Sequence, residues 1–203
     1  MSLSTFVKIS TISNLSDARY CAGMGVDMLG FCFNPSNPEA ISPELFLEIK
    51  NWVAGVRFVG EFGDLSAGEI IDIQKQMPLD FIEISDLDQV EKIGLLGKPL
   101  IYSMELTTDN DVSSLASTFS YLDELVDYVV LNCKNPDLFN AINQAASFYH
   151  GRLKLILAFN LNVDSLDSIK GYAGIQLTGT AEEKPGQKDY NEVMDMLEAL
   201  EVD

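Results

Sequence analysis

Histidine and tryptophan each occur once in this chain of 203 residues, and cysteine three times. A histidine-built metal centre needs further ligands at regular spacing, and none accompany His150, which reads as a surface residue at a helix end. Cys21, Cys32 and Cys133 are odd in number, far apart and without a CxxC pair. That spacing argues against a disulfide framework and against structural zinc. Cys21 and Cys32 stand in apolar stretches and read as core residues. No metal and no cofactor is expected.

Positive charge is scarce: 13 Lys and Arg stand against 31 Asp and Glu, a formal net of −18. Such a field repels phosphate backbones and anionic bilayers, so neither nucleic acid nor membrane is an expected partner. No apolar run reaches the roughly 18 residues of a membrane span. The opening Met1-Ser2-Leu3-Ser4 lacks the basic region and apolar core of a secretion signal, so a cytoplasmic location is expected. Linkers and low-complexity segments are also missing, which points to one domain over residues 1–203.

What the chain does have is apolar residues, 47% of the total, in a regular alternation. Eight short runs are bounded by turn residues: Phe6–Ser10, Met28–Phe33, Val56–Phe62, Phe81–Ser85, Pro99–Met104, Tyr128–Asn132, Leu153–Ala158 and Gly174–Thr178. Runs rich in Val, Ile, Leu and Phe read as buried parallel strands when helices separate them. The helices between them carry start signals. Ser16-Asp17 opens the first, Ser42-Pro43 the second and Ser66 the third. Asp86 or Asp88 caps a short fourth ending near Gly94, Asp111 starts the fifth and Asn135-Pro136 the sixth. Asn162 or Asp164 starts the seventh and Lys188-Asp189 the last. Eight β-then-α units predict an α/β fold, a single (β/α)8 TIM barrel. A doubly wound sheet has fewer strands and a glycine-rich first turn, whereas Ser10-Thr11-Ile12-Ser13 has no glycine.

In such a barrel the working residues close the strands at their C-terminal ends. Lys8 through Ala18, opening Lys8-Ile9-Ser10-Thr11-Ile12-Ser13, resembles the first strand and turn (Lys-Ile-Cys-Gly-Ile-Thr) of the phosphoribosylanthranilate isomerase family. Gly25 through Phe33, followed by Pro35, Ser36, Pro38 and Ser42-Pro43, is similar to the second strand and loop of that family. Val59-Gly60-Glu61-Phe62 is similar to the third strand, and Pro185-Gly186-Gln187-Lys188-Asp189 to the turn after the eighth. The resemblance spans the chain and rests on the ordered set rather than on any one motif.

The resemblance implies an isomerase of tryptophan biosynthesis that catalyses an Amadori rearrangement of a sugar phosphate, with one group removing the C2 proton and another protonating the ring oxygen. It also locates the departures. Ser10 stands at the cysteine base, and a serine hydroxyl needs a partner base to act. Asn132 stands at the aspartate acid, and an amide cannot deliver a proton. Glu39 stands at an arginine, Ser85 at a histidine and Gln176 at an aspartate. After the seventh strand, Ala158-Phe159-Asn160-Leu161 replaces a phosphate-binding loop with two glycines. After the eighth, Thr178, Gly179 and Thr180 keep one glycine and two hydroxyls for a weakened phosphate cradle.

Alternation along the strands puts Lys8 on the face of Ser10 and Glu83 on the face of Ser85. Both faces point inward, which predicts a Lys8–Glu83 pair, structural or catalytic. Glu61, Glu83, Asp86 and Glu105 gather at strand ends. They read as solvated loop charges or, alternatively, as a site for a cation, an amine or a Mg-like metal held by oxygen ligands. Three functional readings follow: a divergent member with lost or changed activity, an active isomerase with a rearranged acid–base pair, and a barrel enzyme of other specificity working through Lys8 and Glu83. The expected partner is a small molecule, such as a sugar phosphate, and the expected assembly is a monomer or homodimer.

Overall fold

The computed structural model describes residues 2–159, 161, 163, 166, 169–178 and 191–202. Eight parallel strands close into a barrel. They are β1 (Phe6–Ser10), β2 (Met28–Cys32), β3 (Arg57–Glu61), β4 (Phe81–Ile84), β5 (Leu100–Glu105), β6 (Tyr128–Asn132), β7 (Lys154–Ala158) and β8 (Gly174–Thr178). Each pairs with its sequence neighbours, and β1 closes the circle on β8 with Lys8 opposite Gln176. The described helices are α1 (Leu15–Gly23), α2 (Pro43–Trp52), α3 (Ala67–Gln74), α4 (Val90–Gly94), α5 (Asp109–Leu122), α6 (Phe139–Ser147) and α7 (Asn191–Leu200). The starting points Asn162, Asp164 and Lys188-Asp189 lie outside the described residues.

Local chemistry sets the helix starts. Ser42 and Ser66 cap α2 and α3 through their side chains, and Pro43 takes the first turn, where a missing N–H costs nothing. Two starts shift from the sequence reading. Asn14, not Ser16, caps α1, because its side chain accepts from Asp17 N. Thr108 caps α5 through a reciprocal capping box with Asp111, three residues before the aspartate expected to open it. Asp86 caps a 3-10 turn ahead of α4.

Two apolar layers result. One lies between the barrel and its helices. The other fills the lower barrel with Met28, Val59, Phe81, Ile101, Tyr128, Val130 and Ile156, with Phe6 and Ala158 against them. Phe6 stacks on Tyr128, and Phe81 meets Tyr128 edge to face. The N-terminal end of the barrel is therefore solid, and open space is left at the C-terminal end. All three cysteines are buried and unpaired, and His150 is exposed. Among the described residues no helix is long and apolar enough to cross a membrane.

Candidate active site at the barrel mouth

Above the apolar floor lies a polar layer. Lys8 is completely buried, and its ammonium has three close oxygens. Glu61 Oε1 is 2.6 Å away, Gln176 Oε1 2.7 Å and Glu83 Oε2 2.8 Å. The expected Lys8–Glu83 pair is present, but Lys8 bonds to Glu61 as well. Glu61 is not the solvated loop charge expected of it: it is only 8% exposed. Alternation in β3 puts it on the inward face of Val59, the same rule that turned Glu83 inward, so the signal was available in the sequence.

Glu61 is the hub of the layer. It accepts from Lys8 Nζ, from Ser10 Oγ at 2.8 Å and from the Thr11 amide at 3.0 Å. Its carboxylate lies over Gly30, where an added Cβ would overlap Oε1. Thr11 has φ of 60°, in the left-handed region that a β-branched residue rarely adopts. That conformation aims its N–H at Glu61. Ser10 thus donates to a carboxylate whose charge is shared with Lys8.

Glu83 is the asymmetric partner. Its Oε2 is buried and has no aligned hydrogen bond, only the ion contact with Lys8. The Ser103 hydroxyl also bonds to the carboxyl. Burial pushes the Glu83 carboxyl above its ordinary value, the nearby Lys8 opposes that shift, and Glu61 adds to it. The Lys8 ammonium is held above its ordinary value: burial works against the charge, and the two glutamates overcome it. Asn132 Nδ2 donates to Ser103 Oγ at 2.8 Å. Asn132, Ser103, Glu83, Lys8, Glu61 and Ser10 therefore form one continuous polar chain across the barrel.

This layer floors a cavity of about 650 Å³. Ser10, Glu83, Ser85, Asn132, Gln176 and Thr178 all line it, so most of the sequence-predicted residues come together. Gln176 is engaged below by Lys8, while Ser85 and Thr178 are exposed at the rim. Glu39 is not among the lining residues; Asn34 and Asn37 of the same loop take that wall, and Asn37 Oδ1 accepts from the Glu39 amide. Gly179 and Thr180 lie outside the described residues. Phe159 lines one side against Phe139 and leaves the cavity open. Thr11 and Ser103 carry no chemical signature in sequence and were missed. Among the described residues no group of three or more His, Cys, Asp or Glu could hold a metal ion.

Comparison with known proteins gives a consistent result. The family model described as N-(5'-phosphoribosyl)anthranilate (PRA) isomerase matches residues 7–199. The N-(5'-phosphoribosyl)anthranilate isomerase of Maridesulfovibrio salexigens is 24% identical over 207 residues, covering 98% of this chain and 99% of that one. That of Geobacter sulfurreducens is 27% identical over 206 residues, covering 94% and 96%. The crystal structure of the Thermotoga maritima enzyme superimposes with a TM-score of 0.78 at 21% identity, covering 97% of this chain and 98% of that one. A phosphoribosyl anthranilate isomerase in complex with reduced 1-(o-carboxyphenylamino)-1-deoxyribulose 5-phosphate superimposes with a TM-score of 0.75, also at 21% identity and with the same coverage. These structural likenesses establish the barrel.

Proposed function

Since the chain belongs to the N-(5'-phosphoribosyl)anthranilate isomerase family, we propose that it is a divergent member of this tryptophan-biosynthesis isomerase family that keeps the barrel and has lost or changed the isomerisation. One observation carries the reading. The two positions that supply the base and the acid by resemblance are Ser10 and Asn132, and both are tied into the floor network as hydrogen-bond donors. A general base must accept a proton from the substrate, and a general acid must have one to give. Ser10 Oγ points its proton at a carboxylate, and the Asn132 amide has none to release at neutral pH.

The cavity supports the same reading. Its described lining contains neither arginine nor histidine, the groups that the resemblance implies around the aromatic carboxylate. Glu39, at the arginine position, has reversed charge. Thr178, Gly179 and Thr180 are what is left of the phosphate cradle, and the loop at Ala158-Phe159 has lost its glycines. The ligand on this reading is a small molecule other than phosphoribosylanthranilate.

A second reading rests on Glu83. A buried carboxyl with a raised pKa, beside a lysine and facing a cavity, has the environment of a catalytic proton carrier. Under it, Lys8 and Glu83 serve a barrel enzyme of other specificity, or an isomerase with a relocated acid–base pair. Genetic complementation separates the readings. The gene fails to restore growth of a tryptophan auxotroph lacking the isomerase if the first reading holds. Rescue by the intact gene and not by a Glu83→Gln variant supports the relocated pair.

A further inference from the structure

Ser10 closes β1 beside the cavity, and its surroundings are those of a nucleophile rather than of a base. Its hydroxyl donates to Glu61 Oε1 at 2.8 Å. A serine becomes nucleophilic when a base takes its proton and a third group fixes that base. Glu61 meets the first condition. The second is met twice: Lys8 Nζ bonds to the same oxygen at 2.6 Å, and the Thr11 amide bonds to Oε2 at 3.0 Å. The Lys8 charge lowers the proton affinity of Glu61, which limits the activation. It also favours negative charge on the Ser10 oxygen that shares its acceptor.

Attack further needs a free lone pair and donors for the charge that develops. A hydroxyl oxygen carries two lone pairs. With its proton directed at Glu61, Ser10 Oγ can accept from Thr11 Oγ1 at 3.0 Å and keep one pair for an acyl carbon. Gln176 stands on the adjacent strand β8 and lines the same cavity. Lys8 holds its carbonyl oxygen at 2.7 Å, so its amide N–H groups are turned off the lysine and make no hydrogen bond to any described residue. They are neutral donors for an oxyanion. Asn34, Asn37, Ser85 and Asn132 line the walls above with amides and a hydroxyl, which suits an uncharged acyl compound.

We propose that Ser10 is a catalytic nucleophile that hydrolyses a small uncharged carboxylic ester, with Glu61 as general base and the Gln176 amide donating to the oxyanion. The substrate class belongs to the changed activity proposed above, and the assignment rests on that reading. In the first step Ser10 Oγ bonds to the acyl carbon and its proton passes to Glu61. The ester C–O bond breaks, and Glu61 gives the proton to the leaving alcohol. In the second step water attacks the acyl-serine and passes a proton to Glu61. Glu61 returns that proton to Ser10 Oγ as the carboxylic acid leaves. Ester and water go in; acid and alcohol come out.

Phosphonylation and ester hydrolysis by the whole protein test it. A fluorophosphonate forms an Oγ–P bond with an activated serine as fluoride leaves, and peptide mass spectrometry locates the adduct. p-Nitrophenyl acetate reports turnover as released nitrophenol. The adduct is expected on Ser10. Ser10→Ala is expected to abolish it and to lower nitrophenol release to the uncatalysed rate. Glu61→Gln keeps the shape of the side chain without the base, and labelling is expected to slow by at least about 100-fold. Adduct mapping on the wild type decides the matter if that variant does not fold. No adduct on Ser10, an adduct confined to other residues, nitrophenol release unchanged by Ser10→Ala, or Glu61→Gln labelling at the wild-type rate would each overturn the proposal. Turnover of phosphoribosylanthranilate in a separate assay would instead sink the reading beneath it, whatever the labelling of Ser10 shows.

Discussion

Thr11 and Lys8 carry the costs of this site at the scale of single residues. Thr11 holds a left-handed conformation where the resemblance places glycine, at a cost on the order of 1–3 kcal/mol for a non-glycine residue. Part of that is offset by its 3.0 Å amide bond to Glu61. Thr11→Gly keeps the amide, removes the strain and adds chain entropy to the unfolded state. Its expected effect is a gain of roughly 0.5–1 kcal/mol in urea unfolding. Lys8→Met removes the only cation from a layer holding two buried carboxyls. The expected loss at pH 7 is about 3–5 kcal/mol. The sign with pH follows from the carboxyls. Glu83 has a folded pKa above the ordinary 4.5, so its contribution is complete below that value and fades as pH rises through the raised one. Removing Lys8 takes away the charge that opposes the rise at Glu83, so the variant recovers toward wild type as pH falls toward 4.5. The Lys8 contribution in the wild type persists to alkaline pH, since its folded pKa exceeds 10.5. Urea unfolding of wild type and variant from acid to alkaline pH checks both. Lys8 and Glu83 were legible in sequence because alternation gives the face of each residue. The three-way share with Glu61 was not, because which inward side chains meet depends on barrel closure.

The strands and helices are where the sequence reading is closest to the structure. Apolar runs and cap residues are local signals, and the strand bounds agree to within a residue at each end. Helix starts at Asn14 and Thr108 were displaced because several small polar residues in each turn compete to cap. One device at element scale has no local signature. Asp27, Asp80 and Asp127 each stand one residue before β2, β4 and β6. Each carboxylate accepts from an amide of the preceding strand: Val7 at 2.9 Å, Phe58 at 2.7 Å and Leu100 at 3.2 Å. These bonds tie alternate strand pairs at the N-terminal rim, away from the cavity. Hydrogen bonds to a charged acceptor contribute about 1.5–3 kcal/mol. Asp80→Ala is therefore expected to cost about 2 kcal/mol in thermal or urea unfolding and to leave ligand binding at the cavity unchanged.

For the whole molecule, the barrel divides labour between its ends. The N-terminal half is filled with aromatic and aliphatic side chains, and the C-terminal half holds the polar layer and the open cavity. Closure from eight repeating units was legible because no other arrangement of eight β-then-α units is as common. The chemistry was legible mainly as departures: Ser10, Asn132, Ser85 and Gln176 do line the cavity, whereas Glu39 gives way to Asn34 and Asn37. On the proposed reading, this family member no longer isomerises phosphoribosylanthranilate. The most direct measurement mixes purified protein in excess with freshly generated phosphoribosylanthranilate and follows the loss of its anthranilate fluorescence over a single turnover. The expected decay is no faster than the uncatalysed breakdown of the compound, and is the same with Ser10→Ala. A fast phase that scales with protein concentration would contradict it.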